Sequence, residues 1–275
     1  MSDLRLKLQQ LFGQSGPETP EPVTPSGYSP ISQFDPHDVF IVGYPKSGNT
    51  WFQNLVAGVV YGIDPKMSPP ALVDDVVPDV HYSQFYRRYS TPMFFKSHAL
   101  PQPDYRRVVY LLRDGRDAMV SYHRYRESVQ KEKLDFMEFV TTGNSLFPCK
   151  WHDHVEGWAK NPFDAQILHI KYEELLKNPV ELLERFCEFI NLPRERLFLE
   201  AVAESAKFDN LRQKEVRMGM GRPDFPADQQ FFRRGKAGSH KDEMPPEVLT
   251  AFLREAGDTL GRNGYLGAGS GALPT

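Results

Sequence analysis

An apolar run that stops at glycine, followed at once by a glycine-bracketed turn and a helical pattern, leaves this chain few architectures. Asp38-Val-Phe-Ile-Val-Gly43 is β-branched and aromatic, the composition of a buried strand. Gly43-Tyr-Pro-Lys-Ser-Gly-Asn-Thr-Trp51 comes next, and Gly48 to Tyr61 carries helical spacing. Gly43 and Gly48 permit a tight turn, after which backbone N–H groups and the positive end of the helix converge as an anion site. Lys46 adds a charge there, and Ser47, Asn49 and Thr50 add donors. The common triphosphate loop places its lysine directly after the second glycine. Here Lys46 precedes Ser47-Gly48, so the turn suits phosphate without following that pattern.

Three further apolar runs predict strands: Met93 to Lys96, Arg107 to Leu112 and Gln166 to Tyr172. Ala118 to Glu127 and Val180 to Ile190 predict helices between and after them. Strands alternating with helices predict an α/β fold, a central parallel sheet flanked by helices in a three-layer, P-loop nucleotide-binding-like sandwich. Ligands in such sheets sit at the carboxyl ends of the strands. The 275 residues suffice for one such domain, expected over 38–275. Residues 1–37 are expected to be a flexible leader, since the stretch around Gly16-Pro-Glu-Thr-Pro-Glu-Pro22 has little apolar surface to bury. Met218 to Gln230, rich in Gly and Pro, predicts a long loop able to act as a lid.

The formal net charge of −3 gives no sign of a nucleic-acid partner, so an anionic ligand needs a local basic pocket. No stretch reaches the roughly 18 apolar residues of a membrane span, which predicts a cytoplasmic protein with no membrane partner. Cys149 and Cys187, expected in separate helical segments, lack CxxC neighbours and are read as reduced thiols. His152-Asp-His154 is a poor metal pair, because residues two apart on a helix face different ways.

A second anion site is written in Tyr110-Leu-Leu-Arg-Asp-Gly-Arg-Asp-Ala-Met-Val-Ser-Tyr122. Arg113 ends a strand, where a guanidinium can clamp phosphate. Asp117 and Ser121, four apart, share one helical face, so Ser121 is expected to meet the same ligand. Phe232-Arg-Arg-Gly-Lys-Ala-Gly238 sets Arg233 and Arg234 before the flexible Gly235, a further phosphate grip. Phe94-Phe-Lys-Ser-His98 ends a strand at the active edge, and an imidazole of ordinary pKa near about 6.5 accepts protons at neutral pH.

Together these segments resemble the PAPS-dependent cytosolic-type sulfotransferases, PAPS being 3′-phosphoadenosine 5′-phosphosulfate. Tyr44 to Trp51 matches that family's YPKSGTTW loop except at Asn49, and Arg113 and Ser121 fall on its 3′-phosphate anchors. Arg233-Arg-Gly235 and Gly238 resemble its RKGxxG segment, with Arg234 for lysine and Ser239-His240 for the usual Asp-Trp. Lys96-Ser-His98 resembles its KTH segment, Tyr172-Glu-Glu-Leu-Leu-Lys-Asn-Pro179 its YEDLLKNP stretch, and Trp151 to Trp158 its WYEHVxGW helix.

The resemblance implies transfer of a sulfuryl group from PAPS to a hydroxyl or amine of a small molecule, releasing PAP. His98 is then the general base, Lys46 stabilises the leaving phosphate and Lys96 the sulfuryl oxygens. Ser121 diverts Lys46 until the acceptor binds, and Trp51, Tyr172 and Phe208 hold the adenine. No acidic metal pair follows the strands, so no metal is expected to be required. The family's C-terminal dimerisation pattern is not reproduced, which leaves a homodimer open. A P-loop-type small-molecule kinase would need the displaced lysine and a magnesium carboxylate. A non-catalytic PAPS- or PAP-binding protein would lack His98, Lys46 or Lys96. Phe94, Tyr82, Phe85, Tyr86 and Phe147 are candidates for an apolar acceptor pocket, favouring a phenol or hydrophobic alcohol.

Overall fold

Alternate residues of a strand face opposite sides, and the apolar runs here are apolar on both. That forces helices onto both faces. A computed structural model describes residues 23–130, 134–221, 225–226, 229–232 and 234–266. In chain order its elements are β1 Ser29–Pro30, β2 Val39–Gly43, α1 Asn49–Tyr61, α2 Pro70–Val76, β3 Phe85–Tyr86, β4 Phe94–Ser97 and β5 Arg107–Leu112. Then follow α3 Gly115–Gln130, α4 Phe136–Thr142, α5 Trp151–Lys160, β6 Gln166–Lys171, α6 Tyr172–Lys177 and α7 Pro179–Phe189. The last are α8 Arg196–Ser205, α9 Phe208–Met218, α10 His240–Glu243 and α11 Pro246–Arg262.

Four strands form a parallel sheet in the order β4-β2-β5-β6. The alternation divides the core in two. Phe40, Val42, Phe95, Val108 and Tyr110 pack with residues of α3, α4, α5 and α11 on one face. Val39, Ile41, Phe94, Val109 and Leu111 pack with α1, α7 and α8 on the other. The three-layer sandwich expected from the sequence is therefore present, and the carboxyl ends of β2, β4 and β5 share one edge.

Three expectations need correction. The leader is not extended up to residue 37. β1 pairs antiparallel with β3, and the Phe34 ring meets Phe40 and Phe95 edge-on at 4.9 and 5.0 Å. Cys149 lies in the connection before α5 rather than in a helix, although Cys187 is helical and both thiols are free. Met218 closes α9, so the long connection begins only at Gly219. Residues 1–22, the bulk of the Pro-rich stretch, lie outside the described residues.

Candidate active site

The turn between β2 and α1 has the backbone of an anion cradle. Lys46 and Gly48 take left-handed conformations, with φ of 69° and 98°. A Cβ at Gly48 would stand 2.8 Å from Tyr172 Cδ2, and one at Gly43 would stand 2.7 Å from the Leu111 carbonyl oxygen. Both positions thus require glycine. No side chain caps α1, so its first amides remain available at the cleft. Ser47 is buried and its Oγ has no hydrogen-bond partner among the described residues, nor does Arg113 Nε. Orphaned donors on both sides of one turn fit a phosphorylated ligand.

Arg113 joins the two expected anion sites. Its guanidinium donates to the Lys46 carbonyl oxygen at 2.8 Å and to the Lys236 carbonyl oxygen at 3.5 Å. The same group lies 4.5 Å from the Tyr172 ring centroid. Ser121 lines the cleft with Arg113, as its helical position predicts. Asp117 does something else. It accepts the Gly238 N–H at 2.6 Å, the His240 N–H at 2.9 Å and His240 Nδ1 at 2.7 Å. Burial alone would raise this carboxyl, but those donors and the Arg113 charge outweigh it and hold it below the ordinary value. Asp117 thereby clamps the 235–240 segment over the cleft. Gly235, at φ 57°, presses against Phe208, whose ring a Cβ would overlap.

Trp51 Nε1 donates to the Ala206 carbonyl oxygen at 2.9 Å, and its ring meets Tyr172 edge-on at 5.9 Å. Trp51, Tyr172 and Phe208 therefore stand together as aromatic walls of one cleft. Arg234 is not among the lining residues and pairs instead with Glu243. Arg233 lies outside the described residues.

At the β4 end, His98 Nδ1 lies 2.7 Å from the Gly43 carbonyl oxygen. A carbonyl only accepts, so Nδ1 carries the proton and Nε2 keeps its lone pair. Burial, and then the Lys96 charge, push this imidazole down to about 3. It is thus a neutral acceptor throughout the physiological range. Helix α5 supports it from behind, with Trp158 Nε1 donating to the Ala99 carbonyl oxygen at 3.0 Å. His154, fully buried, lies 2.9 Å from Tyr110 Oη through Nδ1 and 3.3 Å from the His98 carbonyl oxygen through Nε2. No role for His154 follows from its spacing, and its contacts are structural rather than metallic. Among the described residues, no cluster of three or more His, Cys, Asp or Glu suits a metal.

Lys46 Nζ sits 3.7 Å from the Phe231 ring centroid and 4.5 Å from that of Tyr125. The cleft unites Lys46, Gly48, Asn49, Thr50, Lys96 and His98 with Arg113, Ser121 and the three aromatics. Tyr82 and Phe147 line it as the sequence suggested. Phe94 and Tyr86 do not, being core residues on opposite sheet faces, and Phe85 belongs to β3. His81, Tyr122, Tyr125, Phe231 and Phe232 also line the cleft without having been singled out. They come from connections and a helix face that carry no periodic signal at the site.

The sulfotransferase-domain profile matches residues 36–264. The chain belongs to the sulfotransferase family. Its relatives include a flavonol 3-sulfotransferase of Flaveria bidentis, 28% identical with 84% of each chain covered. Sulfotransferase 4A1 of Homo sapiens is 29% identical, covering 62% of this chain and 65% of that one. Among solved structures, retinol dehydratase in complex with androsterone and PAP superposes with a TM-score of 0.62 at 23% identity, over 83% of this chain and 82% of that one. Mouse SULT7A1 complexed with PAP gives 0.60 at 20% identity, over 84% and 91%. These structures establish the shared fold. The protein is a PAPS-dependent sulfotransferase.

Proposed function

We propose that this sulfotransferase moves the sulfuryl group of PAPS in line to an aromatic hydroxyl, with His98 Nε2 as the base. The observation that carries the base is the Nδ1–carbonyl bond of His98, which fixes the tautomer that leaves Nε2 able to take the hydroxyl proton. PAPS is the co-substrate, and the residues fit it. The turn amides, Ser47 and Thr50 would hold the 5′-phosphosulfate, and Arg113 and Ser121 the 3′-phosphate. Trp51, Tyr172 and Phe208 would flank the adenine, with Gly235 keeping Phe208 in place. Arg234 contributes charge to the rim rather than a direct grip.

Charge accumulates on the leaving phosphate oxygen as the S–O bond breaks. Lys46, whose ammonium lies 3.7 Å from the Phe231 ring centroid, would neutralise it. Lys96 would hold the sulfuryl oxygens, and Ser121 would draw Lys46 aside before the acceptor arrives. The acceptor end is bounded by His81, Tyr82 and Phe147, with His81 and Phe147 rings 5.1 Å apart and nearly perpendicular. Flat rings and basic groups favour a phenol or phenol-like alcohol over an amine, whose ammonium would meet Lys46 and Lys96. A relative of 28% identity is named cytosolic sulfotransferase 11. That name, with no described helix long and apolar enough to cross a membrane, supports a cytoplasmic site of action.

Calorimetric titration with PAP, without magnesium, tests the nucleotide site. Wild type is expected to bind tightly and Arg113→Ala to lose at least about tenfold in affinity. Release of PAP from PAPS with p-nitrophenol as probe acceptor tests the chemistry, and absent PAP binding by the wild type would sink the whole assignment.

A further inference from the structure

A strip outside the four-stranded sheet reaches both transfer-site groups from behind. The Lys96 N–H donates to the Pro78 carbonyl oxygen at 2.9 Å, and the Val80 N–H donates to the Lys96 carbonyl oxygen at 3.0 Å. Residues 78–80 therefore lie along β4 as an added parallel bridge. The chain turns directly after this bridge, the Tyr82 and Ser83 N–H groups donating to the Asp79 carbonyl oxygen at 3.1 and 2.9 Å, and the turn brings His81 to the end of β4 beside Asp79. Asp79 Oδ2 stands 2.9 Å from Lys96 Nζ, with the two side chains only 3% and 2% exposed. Asp79 Oδ1 accepts the His81 N–H at 3.0 Å. His81 Nε2 in turn accepts the His98 backbone N–H at 2.9 Å, and the two rings run nearly parallel 5.9 Å apart.

We propose that Asp79 and His81 are positioning residues for sulfuryl transfer, Asp79 keeping Lys96 charged and held at the cleft and His81 fixing the backbone at His98. This rests on the assignment of Lys96 and His98 to the transfer step. Desolvation favours the neutral form of a buried amine unless a counter-ion stands beside it. Lys96 is deep, and a neutral amine there would not stabilise sulfuryl oxygens. The Asp79 carboxylate holds the proton on Lys96 without itself lining the cleft. The titratable and charged groups around Lys96 are Asp79 and His81 from the strip, His98 from its own strand end and Lys46 and Arg113 across the cleft. Tyr82, Tyr122 and Tyr125 line the same cleft, and Tyr105 is bonded to Ser97 Oγ at 3.0 Å. Burial lowers His81 and His98 and raises Tyr105 and Tyr122 to about 12, so none of these four titrates between pH 7 and 9.

The test follows PAP release from PAPS, with water and then p-cresol, a phenol of pKa about 10 that keeps its proton over the range, as acceptor, across pH 7 to 9. Wild type is expected to hold its kcat over that range. Asp79→Asn strips the counter-ion, so Lys96 sheds its proton at lower pH and kcat should fall by about tenfold as pH rises. Lys96→Met, alone and combined with Asp79→Asn, separates Lys96 from Lys46: both variants should be slow and equally flat with pH. His81→Leu should lose about tenfold in kcat with KM for PAPS unchanged, whereas His81→Gln, which keeps an acceptor near Nε2, should stay within about threefold of wild type. PAP affinity within about twofold of wild type in every variant controls for folding. A flat Asp79→Asn profile, or equal losses in His81→Leu and His81→Gln, overturns the proposal while leaving the transfer assignment standing. Wild type that binds PAP but never releases it from PAPS overturns both.

Discussion

His98 faces the cleft as a neutral imidazole with its free lone pair on Nε2, and two consequences separate its chemistry from its support. Replacing it by Gln removes the base and leaves the nucleotide walls intact. kcat with p-cresol, whose hydroxyl keeps its proton at neutral pH, should drop by about a hundredfold or more, with PAP affinity unchanged in titration. Because burial holds the imidazole near about 3, the wild-type rate should show no acid limb at the ordinary histidine value; a limb centred near about pH 6.5 would contradict that environment. His154 answers to stability instead. Burial pushes it down to about 4. A depressed histidine binds its proton in the unfolded chain first, so stability is intact above about pH 6.5 and is lost as pH falls toward 4. The loss is about 1.4 kcal/mol per pH unit for this one group. Urea midpoints between pH 7.5 and 5 should fall, and His154→Gln should flatten the slope by about one proton.

Glycines separate the strand from the turn at the scale of elements. A Cβ at Gly43 meets the Leu111 carbonyl oxygen, which belongs to the neighbouring strand and cannot yield. A Cβ at Gly48 meets only the edge of the Tyr172 ring, although its φ of 98° adds backbone strain of about 1–2 kcal/mol. Gly43→Ala is therefore expected to unfold the protein or lower its Tm sharply. Gly48→Ala should fold, with PAP affinity down at least about tenfold because Tyr172 and the turn amides move together. Thermal melts with and without PAP distinguish the two, and equal damage to folding in both would refute the distinction.

The same elements show what the sequence could convey. The parallel strands were legible because burial on two faces leaves an unbroken apolar run, and the turn because only glycines and a lysine suit an anion there. Lys46, Lys96, His98 and Arg113 were legible through motifs ordered along the chain. Asp79, His81 and Phe231 were not, since each reaches the cleft from an irregular connection whose path depends on tertiary packing.

The sandwich as a whole extends further toward the N-terminus than composition suggests, because one aromatic can anchor a polar segment. Phe34 belongs to a Pro- and Ser-rich stretch, yet its ring closes the sheet face made by Phe40, Phe95 and Tyr105. Tyr86 Oη donates to the Gln33 carbonyl oxygen at 2.7 Å, and the Asp35 N–H donates to the buried Asp38 carboxylate at 2.8 Å. A chain starting at residue 38 loses these contacts and uncovers Phe40 and Phe95, both 0% exposed in the intact fold. Phe34→Ala should cost about 2 kcal/mol, below the 3–5 kcal/mol of a fully buried phenylalanine because Phe34 is only half-buried. Truncation to 38 should cost more, since it also removes β1 and leaves β3 unpaired. Neither change touches the cleft, so PAP affinity of the folded fraction should stay within about twofold of wild type. Urea denaturation of chains starting at 23 and at 38 measures the difference. Equal midpoints would mean that Phe34 and its neighbours rest on the surface without stabilising it, and that the working domain does begin at Asp38.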